Sequence, residues 1–416
     1  MRIVLFTHPD FGMHQSMPRY SAMLLKGMQE RGHQVTVWKP KARVSLLPFN
    51  GFIKKWLGYV DQYLIFPFEV RLRLMKCAEN TLFVFTDQAL GPWVPLVKHR
   101  PHVIHCHDFL AQNSALGNIQ ENKVSFTGRW YQKHICRGYN AGKNFISVSK
   151  ETQKHLHQFL INPPKTSEVI YNSVNPIFKP IAVKAARSFL TKKTGYLLEN
   201  GFILHVGGNQ WYKNRVGVIE IYEAWRSTSN SELPLLLIGE KPSDKIFELY
   251  SKSPYKYQIH FLSEITDDVL RFAYAAATVL LFPSLAEGFG WPVAEAMASG
   301  CLVVTTDVSP ITEVGANAAY YISKRPVDQL DIERWTFKAA CTLDFVITLS
   351  ESERKKAVEK SLINAERFNG EQILNRVEDI YKSVIDSELG LPVSEVEELN
   401  VESYRKVIGR ASINKC

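Results

Sequence analysis

Glu287-Gly-Phe-Gly-Trp-Pro-Val-Ala-Glu295, continued by Ala-Met-Ala-Ser-Gly300 and the apolar Cys301-Leu-Val-Val-Thr305, decides the fold of this 416-residue chain. Thr278 to Pro283 before it is a short apolar run with strand character. Pro292 has the fixed φ that suits a first helical position, and Gly300 tolerates the left-handed stop at a helix end. The unit therefore reads strand, loop, short helix, strand. In such units ligands collect beyond the carboxyl ends of the strands. Gly288 and Gly290, with Phe289 between them, would let backbone approach a diphosphate, and the helix start would offer it N–H groups. Glu295, read as lying in the first helical turn, can accept hydrogen bonds from the vicinal hydroxyls of a ribose. Glu287, one loop earlier, is placed to meet whatever the diphosphate carries. Both glutamates also suit the positive end of a helix dipole without any ligand.

The same alternation extends in both directions. From Gly201 onward, strands are expected near 202–206, 235–238, 258–262, 279–283 and 301–305, separated by helical patterns. The first half begins with a strand (Arg2 to Phe6), a Pro/Gly loop, a helix with Met17, Tyr20, Leu24 and Met28 on one face, a stop at Gly32 and a strand from Gln34 to Trp38. Leu82–Thr86, His102–Cys106 and Asn144–Val148 follow as further strands. Strands alternating with helices predict an α/β chain with parallel sheets covered on both faces. Glu351 to Leu389 reads as helical with a break near Asn369-Gly370, and Ile373, Val377, Ile380 and Val384 share one face of its later part.

Two further stretches carry chemistry. Leu204-His-Val-Gly-Gly-Asn-Gln-Trp-Tyr-Lys-Asn-Arg215 is a strand end opening into a glycine loop and then a helix. Gly207, Gly208 and Asn209 would cradle a diphosphate, with Lys213 as counter-charge; cations at a helix start are unfavourable unless an anion is present. His102-Val-Ile-His-Cys-His-Asp108 is an apolar strand ending in His107-Asp108. His105 and His107 share one strand face, but no further ligand stands at a recognisable spacing, so no metal site is expected.

The Glu287–Glu295 stretch resembles the Glu-x7-Glu motif of the family-4 retaining glycosyltransferases, which have the GT-B fold. Leu281-Phe-Pro-Ser284 before it and Ser309-Pro-Ile-Thr-Glu313 after it follow the same family's pattern. The resemblance implies two Rossmann-like domains whose parallel sheets face each other across a deep interdomain cleft. It puts Glu287 against the donor sugar, Glu295 on the ribose of the nucleotide, Lys213 on the phosphates and His107 as the active-site histidine contacting the transferred sugar. The family usually carries an arginine where Gly208 stands, and Arg215 is the candidate substitute. Gly12 lies in the loop that usually carries adjacent glycines near the sugar diphosphate. The implied division is an acceptor-side domain over 1–175 with a basic, aromatic insertion at 39–76, a nucleotide-sugar domain over 176–370, a returning helix at 371–389 and a tail at 390–416.

What the resemblance implies chemically is transfer of a hexose-type sugar from a nucleoside-diphosphate sugar to a saccharide or lipid-linked acceptor, with retention of configuration. Its setting would be cell-surface polysaccharide or lipopolysaccharide synthesis. No Asp-x-Asp motif occurs, so neither a divalent cation nor another cofactor is expected. A non-catalytic sugar-nucleotide-binding protein and a nucleotide-sugar epimerase remain as alternatives on the same fold.

Composition bounds the rest. With 45% hydrophobic and 22% charged residues the chain has material for two packed domains. The first residues turn polar at His8 too early for a signal peptide, no apolar run spans a bilayer, and the six cysteines lack paired spacing; a cytoplasmic chain with reduced thiols is the expectation. Net charge is +9, and the segment from Lys39 to Lys76 holds eight cations against two anions, interleaved with Leu46, Leu47, Phe49, Phe52, Ile53, Trp56, Leu57 and Tyr59. That mixture suits either an anionic membrane surface, reached from the inner face, or a helical insertion packed on its own domain. Nucleic acid is not expected, since no recognised binding module accompanies the charge.

Overall fold

The computed structural model describes residues 1–11 and 16–389. Gly12 and the tail 390–416 lie outside the described residues. The described residues divide into two compact units, one made of 1–171 together with 371–389, the other of Asn172–Gly370.

The first unit is built on a six-stranded sheet: β1 (Arg2–Phe6), β2 (Gln34–Trp38), β3 (Thr81–Phe85), β4 (His102–Cys106), β5 (Asn144–Ser147) and β6 (Thr166–Val169), in the spatial order β2-β1-β3-β4-β5-β6. Every neighbouring pair is parallel. Apolar runs such as Ile3-Val4-Leu5-Phe6 and Leu82-Phe83-Val84-Phe85 are buried on both faces, as a covered parallel sheet requires. The helices are α1 (Ser16–Glu30), α2 (Gly51–Val60), α3 (Phe66–Leu74), α4 (Leu110–Leu116), α5 (Phe126–Tyr139) and α6 (Lys150–Phe159). On α1 the expected face is inward, with Tyr20, Leu24 and Met28 buried.

The second unit repeats the plan. Its strands are β7 (Ile203–Val206), β8 (Leu235–Ile238), β9 (Ile259–Leu262), β10 (Val279–Phe282), β11 (Val303–Thr306) and β12 (Tyr320–Ile322), in the order β12-β11-β10-β7-β8-β9, again parallel throughout. Its helices are α7 (Val183–Thr194), α8 (Arg215–Thr228), α9 (Asp244–Lys252), α10 (Asp267–Ala276), α11 (Trp291–Ala298), α12 (Ile311–Gly315), α13 (Gln329–Ile347) and α14 (Glu351–Ala365). Ser350 and Glu353 form a capping box that starts α14. The final helix, α15 (Gly370–Glu388), follows the break at Asn369 and packs in the first unit. Its inward stripe is Ile373, Leu374, Val377, Tyr381, Val384 and Ile385. Ile380, expected on that stripe, is only partly buried, and the fully buried Tyr381 takes the place beside it.

Between β2 and β3 the insertion is one long helical run, α2 and α3 joined by a π-helical stretch over Asp61–Ile65. Asp61 is buried, and its carboxylate accepts from the main-chain N–H groups of Arg43, Val44 and Ser45 and from the Ser45 hydroxyl. Burial alone would raise its pKa, but these bonds outweigh that and hold it below the ordinary value. The carboxylate thereby clamps the incoming loop to the helix.

Candidate functional site

In the second unit the carboxyl ends of β7, β10 and β11 are knitted into one surface. Asn214, in the left-handed region at φ 52°, caps α8 by accepting from Gly217 N–H, while its amide donates to the Pro283 carbonyl. The Ser284 hydroxyl donates to the Tyr212 carbonyl, and Thr306 Oγ1 donates to the Ser284 carbonyl. Lys213 ends the turn between these ties. Its Nζ lies 2.7 Å from Glu287 Oε1, and Ser284 Oγ is 2.7 Å from that same oxygen, its single proton shared between Glu287 and the Tyr212 carbonyl. The ammonium stands over the rings of Tyr212 and Phe282, and both charged side chains are mostly covered, at 16% and 8% exposure.

Gly290 precedes α11 with φ 98°, a conformation closed to most side chains, so the helix begins with no side-chain cap. Because α11 starts at Trp291, Glu295 lies in its second turn rather than the first. Its carboxylate is buried and accepts from the Tyr274 hydroxyl of α10 at 3.0 Å. Phe289 packs edge-on against Phe368, with ring centroids 5.4 Å apart.

The glycine loop after β7 is held from within. Asn209 N–H donates to Glu240 Oε2, and the Asn209 side chain bonds the Lys241 carbonyl and Arg215. Arg215, the expected second counter-charge, is turned inward: it is 2% exposed, donates from Nη1 to Asn209 and to the Glu240 carbonyl, and stands over the Phe261 ring. Burial lowers its pKa to about 10, with the Glu240 charge opposing. Its Nε and Nη2 are buried without a partner. A Cβ at Gly208 would meet Gln210 Oε1 at 2.5 Å and Glu240 Oε1 at 2.9 Å, so an arginine in that place requires both side-chain tips to move. A Cβ at Gly207 would lie 3.0 Å from His205 Nε2.

In the first unit His107 follows β4 directly and is 6% exposed. Its Nε2 donates to the Thr86 carbonyl at 2.9 Å, its main-chain N–H to Gln88 Oε1, and the Tyr20 ring meets it edge-on with centroids 4.4 Å apart. Burial lowers its pKa against the opposing pull of Asp87 and the Thr86 bond, so the imidazole is neutral near pH 7. Asp108 Oδ1 accepts from the Leu110 main chain at the start of α4. His105, on the same strand face, is buried between the hydroxyls of Tyr20 and Tyr381, each 2.7 Å away. Among the described residues no group of three or more His, Cys, Asp or Glu is placed to hold a metal ion.

Sequence reasoning missed His8 and Asp87, whose Nε2 and Oδ2 are 2.8 Å apart after β1 and β3, beside His107. It also missed Ser284 and Tyr274. The signal for the first pair was present: His8 and Asp87 follow apolar strands as His107 does.

The family description Glycosyltransferase Family 4 matches residues 17–177, and Glycosyl transferases group 1 matches residues 187–332. The O-antigen chain mannosyltransferase B of Escherichia coli is 28% identical over 257 residues, covering 61% of this chain and 64% of that protein. The O-antigen chain mannosyltransferase RfbU of Salmonella typhimurium is 30% identical over 182 residues, 44% of this chain and 47% of the relative. The chain thus spans less than two thirds of the length of these curated relatives. Among solved structures, Anabaena HepE in complex with UDP and glucose superposes with a TM-score of 0.68 at 15% identity, covering 92% of this chain and all of that one. WaaG, a glycosyltransferase involved in lipopolysaccharide biosynthesis, gives 0.65 at 17%, covering 91% and 99%. The fold is GT-B, and the chain belongs to the group 1, family 4 glycosyltransferases.

Proposed function

We propose that this protein transfers a hexose-type sugar from a nucleoside-diphosphate sugar to a saccharide or lipid-linked acceptor in cell-surface polysaccharide or lipopolysaccharide synthesis, with retention of configuration and without a divalent cation. The observation that carries it is the Lys213–Glu287 pair at the joined carboxyl ends of β7 and β10, beside the Gly290 start of α11. Lys213 and the first N–H groups of α11 stabilise the charge that grows on the leaving phosphate; Gly207, Gly208, Gly288 and Gly290 let backbone approach it. Glu287 faces the donor sugar, Glu295 holds the ribose, and Arg215 and Asn209 stiffen the loop from inside. The first unit supplies the neutral His107 to the transferred sugar, together with the acceptor surface. The acceptor oxygen bonds to the anomeric carbon as the bond from that carbon to phosphate breaks, and the hydroxyl proton leaves on the departing phosphate. The work done by the protein is positioning and preorganised electrostatics.

A second part of the proposal places the enzyme on an anionic membrane surface, at the inner face of the cytoplasmic membrane. No helix among the described residues is long and apolar enough to cross a bilayer. The α3 region presents Leu64, Phe68, Leu72 and Met75 outward at helical spacing, all exposed, with Arg71 and Lys76 exposed beside them. An apolar stripe flanked by cations is what a peripheral membrane helix offers.

The relatives named above are glycosyltransferases, and nothing in the site favours a binding-only protein or an epimerase. The experiment is to incubate the chain with GDP-mannose, UDP-glucose, UDP-galactose or UDP-N-acetylglucosamine and an extracted lipid-linked acceptor, with and without excess chelator. Transfer that survives the chelator with the anomeric configuration kept is the expected result. Epimer formation without acceptor, or activity restored only by manganese, would overturn it.

A further inference from the structure

Six aromatic rings form a continuous chain on the outside of the first unit. Trp56 meets Tyr59 edge-on at 5.7 Å between centroids, Tyr59 lies 6.0 Å from Tyr63, Tyr63 meets His134 at 5.8 Å, and His134 stacks on Trp130 at 5.8 Å with planes 9° apart. Tyr131 closes the chain, 6.0 Å from Tyr59 and 6.3 Å from Tyr63, and its hydroxyl is 2.8 Å from that of Tyr63. Trp56 and Trp130 are 52% and 64% exposed, and the four rings between them are half-buried. A core cluster would hide its tryptophans, whereas this one hides its middle and shows its ends.

Two observations locate the chain of rings. A Cβ on Gly58 of α2 would touch the Phe11 ring, in the loop after β1, at 3.5 Å. Trp93, on the turns that Asp87 caps after β3, donates its indole N–H at 3.0 Å to the carbonyl of Gln62, the residue before Tyr63. The rings therefore begin near the carboxyl ends of β1 and β3 and run outward from them.

We infer that these rings are a platform for the saccharide part of the acceptor, with Trp130 and His134 as its outer stacking surface and Tyr63 and Tyr131 as hydroxyl-bearing steps toward His107. The inference rests on the sugar-transfer reading above. One face of a pyranose carries C–H groups, slightly positive, which match the negative face of an aromatic ring, while its rim of hydroxyls suits phenol and imidazole tips. A lipid tail has no use for that alternation of ring face and polar tip, and the outward stripe of α3 lacks it. His134 is kept neutral, burial being the first cause and the Arg137 charge the second, so it can both donate and accept a hydrogen bond.

Saturation-transfer difference NMR on the full chain, with the methyl glycosides of mannose, glucose, galactose and N-acetylglucosamine, tests the platform without any lipid. At least one glycoside should receive saturation at its ring C–H protons. Trp130→Ala should lower that signal roughly fivefold and Trp130→Phe should restore much of it. Trp130 is exposed, so the core is untouched. Donor hydrolysis in the absence of acceptor should be the same in all three chains. No saturation in the parent chain, or an equal signal in Trp130→Ala, overturns the platform, as does loss of vesicle binding with the glycoside signal intact. Hydrolysis of no donor by the parent chain would instead count against the sugar-transfer reading, which keeps the two failures apart.

Discussion

Lys213 Nζ and Glu287 Oε1 are 2.7 Å apart, joined across the ends of two strands that are 76 residues distant in sequence at Val206 and Phe282 yet run side by side as β7 and β10. The pair brings the cation proposed for the leaving phosphate and the carboxylate proposed for the donor sugar into one hydrogen bond. Lys213→Ala should therefore lower kcat more than it raises the donor KM, because charge on the leaving phosphate grows toward the transition state. Steady-state kinetics with the donor varied checks this, and an effect confined to KM would remove Lys213 from that role.

Glu295→Ala should weaken nucleoside-diphosphate binding by about 1.5–3 kcal/mol, the range for hydrogen bonds that involve a charged partner. Calorimetry with UDP and GDP reads it directly. An unchanged Kd would detach Glu295 from the ribose.

Stability should fall on mild acidification. His105 and His205 are fully buried, and burial is the first cause that lowers each to about 3, so the folded chain stays unprotonated where the unfolded chain takes up protons below its ordinary value near 6.5. Each histidine should then remove about 2 kcal/mol between pH 6.5 and pH 5. Asp61 and Asp87 are held below the ordinary carboxylate value, and their contribution is lost only as pH falls through about 4 and below. Urea titrations across pH 7 to 5 test the sign, and a flat profile would contradict the buried neutral histidines.

Gly138→Ala should destabilise the first unit. A Cβ there would lie 2.2 Å from the Gly91 carbonyl oxygen, where α5 crosses the tight turns of Gln88–Leu96. Backbone cannot swing away as a side-chain tip can, so the cost should be on the order of 1–3 kcal/mol. Thermal melts of the variant and of the neighbouring Arg137→Ala control would show whether the crossing can widen.

Binding to vesicles should rise with anionic lipid and fall with salt, since the Debye length shrinks from about 10 Å at 0.1 M to about 3 Å at 1 M. Lys54→Glu with Lys55→Glu should weaken it through charge, and Leu64→Ser with Phe68→Ser through lost apolar insertion. Cosedimentation indifferent to lipid charge and to all four substitutions would leave the segment as a packed insertion.

How much of this was legible in the sequence depends on how local its cause is. Ile3 to Phe6 and Val279 to Phe282 announce themselves as strands because both faces are apolar, and Gly290 and Pro292 mark a helix start by backbone chemistry alone. The edge strand Thr166–Val169 has no apolar run, and Tyr320–Ile322 has three residues, so neither carried a period to detect. The direction of Arg215 was equally hidden. It is set by Asn209, Glu240 and Phe261, which come together only when β7, β8 and β9 align. Tyr274 beside Glu295 is the same case, two helices brought side by side by the sheet beneath them.

Helix α15 belongs to the same unit as β1 to β6, so the second unit is, in order of synthesis, a parenthesis within the first. On the ribosome Asn172–Gly370 can close upon itself as soon as it has emerged, while the first unit must wait, six strands made and His105 still lacking the Tyr381 hydroxyl, until residues beyond Glu371 arrive. Of the two units, the one opened first is thus the one completed last. A gene fragment for 172–370 is the natural piece to express alone, whereas the first unit needs both of its segments.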